Sequence, residues 1–253
     1  MKALRRLGRL ALLPALAFVA LLAWMYAAPV GSSWDDQYHL ASTWCGGAAA
    51  EVCQPGETAD GRLIPAPILH ADCHLEQPAK SAACLEDAWA LSGELAEYRG
   101  GNFASGAYPP VFYAVMSVFA GEDVQASVLV QRVVTIVLFL GLTTAIAVLS
   151  VSRVRRALLW TWVLTAVPFG LFLLTTNNPS AWGTIGVVSA PFALLGWYHA
   201  TSRGRRIVLG ALYAVAMLMA AGTRGDTAIY AGFATLIAML LTVDWSRAWW
   251  LRS

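Results

Sequence analysis

The sequence predicts an all-α integral membrane protein with six transmembrane helices and one large outer loop between the first two. Three observations support this fold class. Hydrophobic residues make up 58% of the chain and charged residues only 13%, whereas soluble domains are about half apolar and a quarter charged. The mean hydropathy is +0.59. Long apolar stretches also recur along the chain, and basic residues cluster between alternate stretches.

Six apolar stretches approach the length of about 17 to 25 residues that a helix needs to cross a bilayer. They are residues 10–30, 133–152, 157–176, 181–198, 207–222 and 227–243. The first stretch follows Lys2, Arg5 and Arg6 and ends near Ala27 and Ala28, as a cleaved signal peptide would. Its apolar run exceeds the usual signal-peptide core of about 7 to 15 residues, so we expect an uncleaved helix.

The basic residues predict the orientation of these helices, because short cytoplasmic loops retain lysine and arginine. With the N-terminus inside, twelve of the 17 basic residues fall in cytoplasmic segments: Lys2, Arg5, Arg6, Arg9, Arg153, Arg155, Arg156, Arg203, Arg205, Arg206, Arg247 and Arg252. Of the 15 acidic residues, only Asp244 does. Both termini are therefore predicted to be cytoplasmic.

This topology divides the chain into three parts. Residues 1–30 form the N-terminus and first helix, residues 31–126 the outer loop, and residues 127–253 a five-helix bundle. A further apolar stretch, residues 111–120, lies in the loop and is too short to cross a bilayer. If it did cross, every later basic loop would move outside. We predict a short interfacial or re-entrant helix that begins after Pro109-Pro110.

All four cysteines lie in the outer loop, where disulfides persist. They are Cys45, Cys53, Cys73 and Cys84. Of the three possible connectivities, we predict Cys45 with Cys53 and Cys73 with Cys84, because short loops close most easily. Zinc binding by the cysteines is the alternative, but the sequence contains no Cys-x-x-Cys pair to ligate the ion.

The rest of the outer loop is acidic, with 13 carboxylates between Asp35 and Asp123. This charge argues against a nucleic-acid partner. Residues 47–78 show no clear period, so we predict irregular structure. The spacing of Leu85, Ala88 and Leu95 predicts an amphipathic helix over residues 81–98 that ends at Gly100-Gly101.

Each predicted outer connection carries polar side chains, which together suggest one site. Two carboxylates and a histidine, Asp35, Asp36 and His39, directly follow the first span. Acid and base groups at a bilayer surface suggest chemistry on a membrane-bound substrate. The alternative is that a helix leaving lipid simply ends in solvated residues. The other candidates are Tyr108, Arg132, Asn178, Arg224 and Asp226.

Two of these candidates, Arg132 and Arg224, are arginines at outer boundaries, against the positive-inside rule. A phosphate-bearing lipid would account for them, because guanidinium binds phosphate oxygens in a bidentate fork. The structural alternatives are snorkelling or an ion pair with Glu122 or Asp123 for Arg132, and an ion pair with Asp226 for Arg224.

Five motifs in order resemble a family of bacterial multi-pass membrane proteins, domain of unknown function 2142 (DUF2142). Residues 35–39 are similar to its Asp-Glu-Pro-Ala-His motif, and residues 108–113 to its Tyr-Pro-Pro segment. Arg132 matches the arginine of its second helix. Residues 178–180 and 223–224 are similar to its Asn-Pro and Thr-Arg turns, and paired cysteines in the first outer loop also fit.

That family resembles the GT-C glycosyltransferases, which take a sugar from a polyprenyl-phosphate carrier and use a carboxylate in the first outer loop. The resemblance implies a bacterial plasma membrane enzyme with Asp36, or Asp35, as the base. In metal-using members this carboxylate would hold a divalent metal, and His39 lies one helical turn away, where it could share the ion.

Two other function classes compete with an enzyme. The first is a non-catalytic subunit that binds the lipid carrier or assists assembly in envelope polysaccharide synthesis. The second is a transporter, which is disfavoured because the spans contain no acidic residue and the two halves show no obvious symmetry. Membrane lipids are the partners expected in every case, and the sequence does not indicate an oligomeric state.

Overall fold

The computed structural model describes residues 2–47 and 52–242, with side chains from residue 11 onward. The long helices form one bundle. They are α1 (Lys2–Ala27), α7 (Val124–Leu149), α8 (Ser152–Thr165), α9 (Pro168–Leu174), α10 (Pro179–His199), α11 (Arg203–Ala221) and α12 (Gly225–Leu240). Helix α10 is central and packs against α7, α8, α11 and α12. At Gly186 a Cβ atom would lie 2.4 Å from the Ala216 carbonyl oxygen, so glycine permits the close approach of α10 and α11.

Three of these helices, α7, α10 and α11, are long and apolar enough to cross a membrane. A fourth span exists if α8 and α9 are counted together. Two further apolar segments, Ala11–Ala27 of α1 and helix α12, are shorter than these spans. The described helices therefore support three or four spans and do not confirm the predicted six.

The third predicted span, residues 157–176, is wrong as a single helix. Helices α8 and α9 meet at an angle of 102°. Pro168 begins α9, and Val167 before it is extended, with φ −74° and ψ 162°. The proline ring disfavours helical geometry at the preceding residue and removes a backbone donor, so the helix breaks here.

The loop between α1 and α7 carries the shorter elements. These are α2 (Asp36–Trp44), α3 (Ala66–His70), a 3₁₀ turn (Ala82–Cys84), α4 (Leu85–Ala90), α5 (Asn102–Ser105), α6 (Val111–Met116) and a second 3₁₀ turn (Ser117–Phe119). Strands β1 (Gln54–Pro55), β2 (Arg62–Pro65) and β3 (Leu95–Tyr98) form an antiparallel sheet in that order. A separate hydrophobic core beneath the loop includes Leu40, Trp44, Ile64 and Ile68.

The sheet corrects two predictions about the loop. Residues 47–78 are not wholly irregular, and the predicted helix over residues 81–98 ends at Ala90. Leu95–Tyr98 instead pairs with β2, with Ile64 opposite Ala96. Because β2 lies about 30 residues upstream, local spacing alone could not reveal this pairing. The chain is therefore mostly helical but not all-α.

Two loop predictions are confirmed. The disulfides join Cys45 to Cys53 and Cys73 to Cys84, with Cα atoms 5.3 and 6.3 Å apart. Helix α6 begins directly after Pro110, as predicted for the short apolar stretch. Its Phe112, Tyr113 and Met116 are buried in the core of the bundle. Helix α6 thereby links the loop to the long helices.

Candidate functional site

Helix α2 carries the acidic motif and separates its members. Asp35 is the N-cap residue, is exposed, and makes no side-chain capping bond. Asp36 and His39 are 1% and 0% exposed. One carboxylate of the motif thus faces solvent, while the other two groups are enclosed.

Asp36 hydrogen-bonds to the backbone of the segment that joins α1 to α2. Its Oδ2 atom accepts hydrogen bonds from the backbone N–H groups of Gly31 (3.0 Å) and Ser33 (3.4 Å). Gly31 has φ +80°, and a Cβ atom there would lie 1.9 Å from the Ala71 carbonyl oxygen, so only glycine fits. Oδ1 is buried with no hydrogen-bond partner among the described residues. Burial raises the pKa of Asp36, and the nearby Arg132 charge opposes this shift.

Arg132, on α7, binds backbone rather than an open site. It is 1% exposed, and its guanidinium donates to the carbonyl oxygens of Ala28 (2.6 Å) and Met25 (3.4 Å) and to Asn177 Oδ1 (2.8 Å). A cation here satisfies the last carbonyls of α1 and opposes the negative end of its dipole. Neither structural alternative predicted for Arg132, snorkelling or a pair with Glu122 or Asp123, includes this capping role.

His39 faces a different neighbour. Its Nδ1 atom lies 2.9 Å from the hydroxyl oxygen of Tyr113 on α6. Nε2 is buried without a hydrogen-bond partner in the described part of the chain. Burial, assisted by the Arg224 charge, lowers the pKa of His39 to about 3. The ring is therefore neutral near pH 7, and in either tautomer the enclosed Nε2 is one donor or one acceptor left unpaired among the described residues.

Three tyrosines surround His39, and we call this group of four the aromatic cluster: Tyr38, His39, Tyr108 and Tyr113. The His39 ring centroid lies 5.2 Å from that of Tyr108 and 5.3 Å from that of Tyr38, both edge-to-face. Of these four, only His39 and Tyr108 were predicted as site residues. Tyr38 and Tyr113 lie within the two motifs at residues 35–39 and 108–113, and that position was the available signal.

Asn102 holds the two tyrosine-bearing segments together. Its Oδ1 accepts from the Tyr108 backbone N–H (2.8 Å) and from the Tyr38 hydroxyl (3.2 Å), and its Nδ2 donates to the Tyr108 carbonyl oxygen (3.0 Å). The Asn102 backbone N–H donates to Ser42 on α2. No sequence pattern indicated this role, because Asn102 is an isolated polar residue that follows Gly100-Gly101 at the start of α5.

Arg224 lies at the edge of the aromatic cluster. Its guanidinium carbon is 5.4 Å from the Tyr108 ring centroid, a cation–π distance. It forms a forked ion pair with Asp226, at 3.0 and 3.3 Å, and donates to Ser180 Oγ at 3.0 Å. About a third of the Arg224 side chain and half of the Asp226 side chain are exposed. The predicted pair with Asp226 therefore forms, and it leaves both groups accessible.

The structure thus brings together four of the eight predicted site residues: His39, Tyr108, Arg224 and Asp226. Asn178 instead caps α10, where its side chain accepts from the Ser180 N–H at 2.8 Å. Arg132 and Asp36 lie in the network at the end of α1. The arrangement offers an aromatic surface, an accessible cation and an accessible carboxylate side by side.

The described residues do not assemble a metal centre around the motif. The one group of three potential ligands within reach of a common ion is Cys73, His74 and Cys84. The two sulfur atoms of that group are joined in a disulfide, so they are not thiolate ligands. A divalent metal at Asp36 and His39 would need its other ligands from substrate or water.

A family model described as predicted membrane protein (DUF2142) matches residues 18–253. No curated protein and no solved structure matches the chain. The matched range contains α2, the aromatic cluster and the Arg224–Asp226 pair, so the candidate site lies in the part of the chain that the family model describes.

Proposed function

The chain belongs to the DUF2142 family of predicted membrane proteins, and from this premise we propose that it is a GT-C-like glycosyltransferase. It would act at the outer face of the bacterial plasma membrane on a polyprenyl-phosphate-linked sugar. Both termini would be cytoplasmic, as the distribution of basic residues indicates.

The observation that carries this proposal is the position of Arg224. Its guanidinium lies over Tyr108 and beside Asp226, next to the aromatic cluster. Each sugar hydroxyl both donates and accepts hydrogen bonds, so an adjacent cation and carboxylate suit a sugar, and an aromatic ring provides an apolar face. The guanidinium also suits phosphate. Exposed ion pairs contribute at most about 1 kcal/mol, so a ligand can displace Asp226 at low cost.

The proposed reaction is a single displacement. An acceptor hydroxyl attacks the anomeric carbon, the bond from that carbon to the phosphate oxygen breaks, and the acceptor proton passes to a carboxylate. The phosphate leaves on its lipid carrier, and Arg224 stabilises the negative charge that develops on it. No metal is required by these steps, although a divalent cation on the phosphate would act in the same direction.

Accessibility distinguishes the two carboxylates of the motif. Asp35 is exposed, whereas Asp36 is enclosed and binds Gly31 and Ser33. We therefore assign the base to Asp35 and the positioning of its loop to Asp36. Asp35→Asn should abolish transfer and leave carrier binding and thermal stability unchanged, because the amide keeps the shape but cannot take the proton.

The decisive experiment combines binding and transfer on the purified protein. A labelled polyprenyl-phosphate sugar is titrated against wild type, Arg224→Lys and Arg99→Lys, the last being a control at an exposed arginine of the outer loop. Lysine lacks the planar fork, so Arg224→Lys should weaken binding about tenfold while Arg99→Lys should not. Equal binding by all three proteins would refute the assignment of the phosphate site.

A non-catalytic, carrier-binding subunit is the second candidate. The enclosure of Asp36 and His39 favours it over a transferase that uses either of them as the base, because no acceptor can reach either group in this conformation. Such a subunit would bind the labelled carrier with the same dependence on Arg224 but would show no transfer in a single-turnover assay with membrane extract as acceptor. If the protein is such a subunit, Asp35→Asn expressed in a deletion strain would restore a normal lipid-linked glycan profile. If the protein is a transferase, the same variant would leave the profile abnormal.

A further inference from the structure

A cavity lies away from the aromatic cluster, between α1, α7, α8 and α9. Its volume is about 430 Å³, within the range of small-molecule sites. Apolar side chains such as Leu21, Phe139 and Leu171 form most of its wall. Helices α8 and α9 meet at 102° beside this space, and α9 packs against α1 and α7.

Among the described residues, the cavity has one charged wall residue, Arg155, in the first turn of α8. The Arg155 side chain has no ion pair or hydrogen bond within the described residues. An anion at this end would meet the Arg155 guanidinium and the positive end of the helix dipole. The ligand is therefore expected to combine an anionic head with an aliphatic chain.

Two polar atoms in the wall point to the rest of the ligand. The hydroxyl of Thr143 and the indole N–H of Trp162 are both buried and have no hydrogen-bond partner among the described residues. A buried donor without a partner is costly, and an ester carbonyl oxygen would satisfy either one once the side chains that enclose it give way to the bound lipid. A diacyl phospholipid carries such carbonyls just below its phosphate, whereas a polyprenyl phosphate carries none.

We propose that this cavity binds one acyl chain of an anionic phospholipid whose phosphate is held by Arg155. The site is distinct from the proposed transferase site. By the charge distribution it opens to the opposite leaflet, and it does not depend on the transferase proposal. The bound lipid fills the space that the α8–α9 bend leaves against α1.

Binding can be measured with the full chain in mild detergent by native mass spectrometry and by thermal shift. The probes are phosphatidylglycerol, phosphatidylcholine, a diether phosphatidylglycerol without ester carbonyls, and a polyprenyl phosphate. Phosphatidylglycerol should bind most tightly. Arg155→Gln should weaken its binding about fivefold, the effect of about one basic residue at a membrane surface, and Arg153→Gln, which is outside the wall, should have a smaller effect.

A matched pair on α1 tests whether the chain occupies the cavity. Ala20 lies in the wall and Ala15 does not, and both are exposed. Ala20→Phe should reduce the retained phosphatidylglycerol severalfold, and Ala15→Phe should not. Gel filtration and the melting temperature without added lipid establish that each variant is folded, and only folded variants are compared.

Three results would overturn the proposal. Equal binding of phosphatidylcholine and phosphatidylglycerol would show that the site does not select an anionic head group. Equal retention of phosphatidylglycerol by Ala20→Phe and Ala15→Phe would show that the acyl chain does not occupy the cavity. Displacement of phosphatidylglycerol by polyprenyl phosphate at equal concentration, together with undiminished binding of the diether lipid, would assign the cavity to the polyprenyl carrier instead.

Discussion

His39 Nδ1 and the Tyr113 hydroxyl oxygen lie 2.9 Å apart, which joins the acidic motif on α2 to the short helix α6. Both residues are buried, and Tyr113 also packs in the core of the bundle. The contact fixes the orientation of the imidazole and directs its other nitrogen, Nε2, away from Tyr113. It therefore couples the loop to the long helices at the edge of the candidate site.

Tyr113→Phe should destabilise the protein by about 1 to 2 kcal/mol, because it leaves a buried imidazole nitrogen without a partner. Thermal unfolding in detergent measures this loss. Tyr230→Phe is the control, since Tyr230 is exposed on α12 and should unfold like wild type. Equal melting temperatures for the two variants would show that the contact contributes nothing.

Stability should depend on pH through His39. Its pKa falls from 6.5 to about 3 on folding, so below pH 6.5 the unfolded chain binds a proton that the folded chain does not. This contribution is fully present above pH 6.5 and decreases by about 1.4 kcal/mol per pH unit as the pH falls toward 3. Comparing wild type with His39→Gln between pH 4 and 7 isolates it. A pH-independent difference would contradict the prediction.

Asp36 should act in the opposite direction. Its pKa is raised on folding, so above pH 3.8 the folded state holds the proton more tightly than the unfolded state. That contribution to stability is present at low pH and is lost as the pH rises through the folded pKa. Asp36→Asn keeps an acceptor for the Gly31 and Ser33 N–H groups and removes this titration. As the pH rises, the melting temperature of wild type relative to Asp36→Asn should therefore fall, whereas that of wild type relative to His39→Gln should rise.

Arg132→Gln should cost on the order of 3 kcal/mol, because it removes a buried cation from Asp36 and leaves the last carbonyls of α1 without donors. We expect reduced abundance in membranes and a lower melting temperature. Arg99→Gln, at an exposed ion pair, is the control. Arg224→Lys should instead weaken carrier binding with little change in stability. An equal loss of stability at Arg132 and Arg224 would remove this distinction between a structural and a binding arginine.

Gly31→Ala should be poorly tolerated. The new Cβ would meet the Ala71 carbonyl oxygen, and φ +80° is unfavourable for alanine. The expected loss exceeds about 2 kcal/mol, measured as unfolding in detergent. Gly232→Ala, within α12 and with open space around it, should be neutral or slightly stabilising. A stable Gly31→Ala protein would mean that the loop can rearrange.

The sequence by itself determined the features that depend on local composition. Apolar length located α7, α10 and α11 to within a few residues except at the start of α7, and the proline pair located the start of α6. Short separations also determined the disulfide pairing, since the nearest cysteines close the smallest loops. These features follow from the chain near each residue, so no knowledge of distant packing was needed.

Tertiary structure decided what local pattern could not. The same apolar stretch that predicted one span contains Pro168, and the two helices on either side of the break meet at 102° and pack against α1, α7 and α10. Leu95–Tyr98 became a strand because β2 supplied its hydrogen bonds, although its own spacing suited a helix.

The candidate site shows the same division. The sequence identified Asp35, Asp36 and His39 as one motif and Arg132 and Arg224 as two equivalent arginines. Packing gave the two arginines different surroundings. Arg132 lies near Asp36 and caps α1, while Arg224 stays accessible and its charge helps to lower the pKa of His39. Tyr113, which is 74 residues from His39 along the chain, joined the site only through the fold. Such contacts depend on burial and on partners distant in sequence, and burial is a property of the folded chain alone.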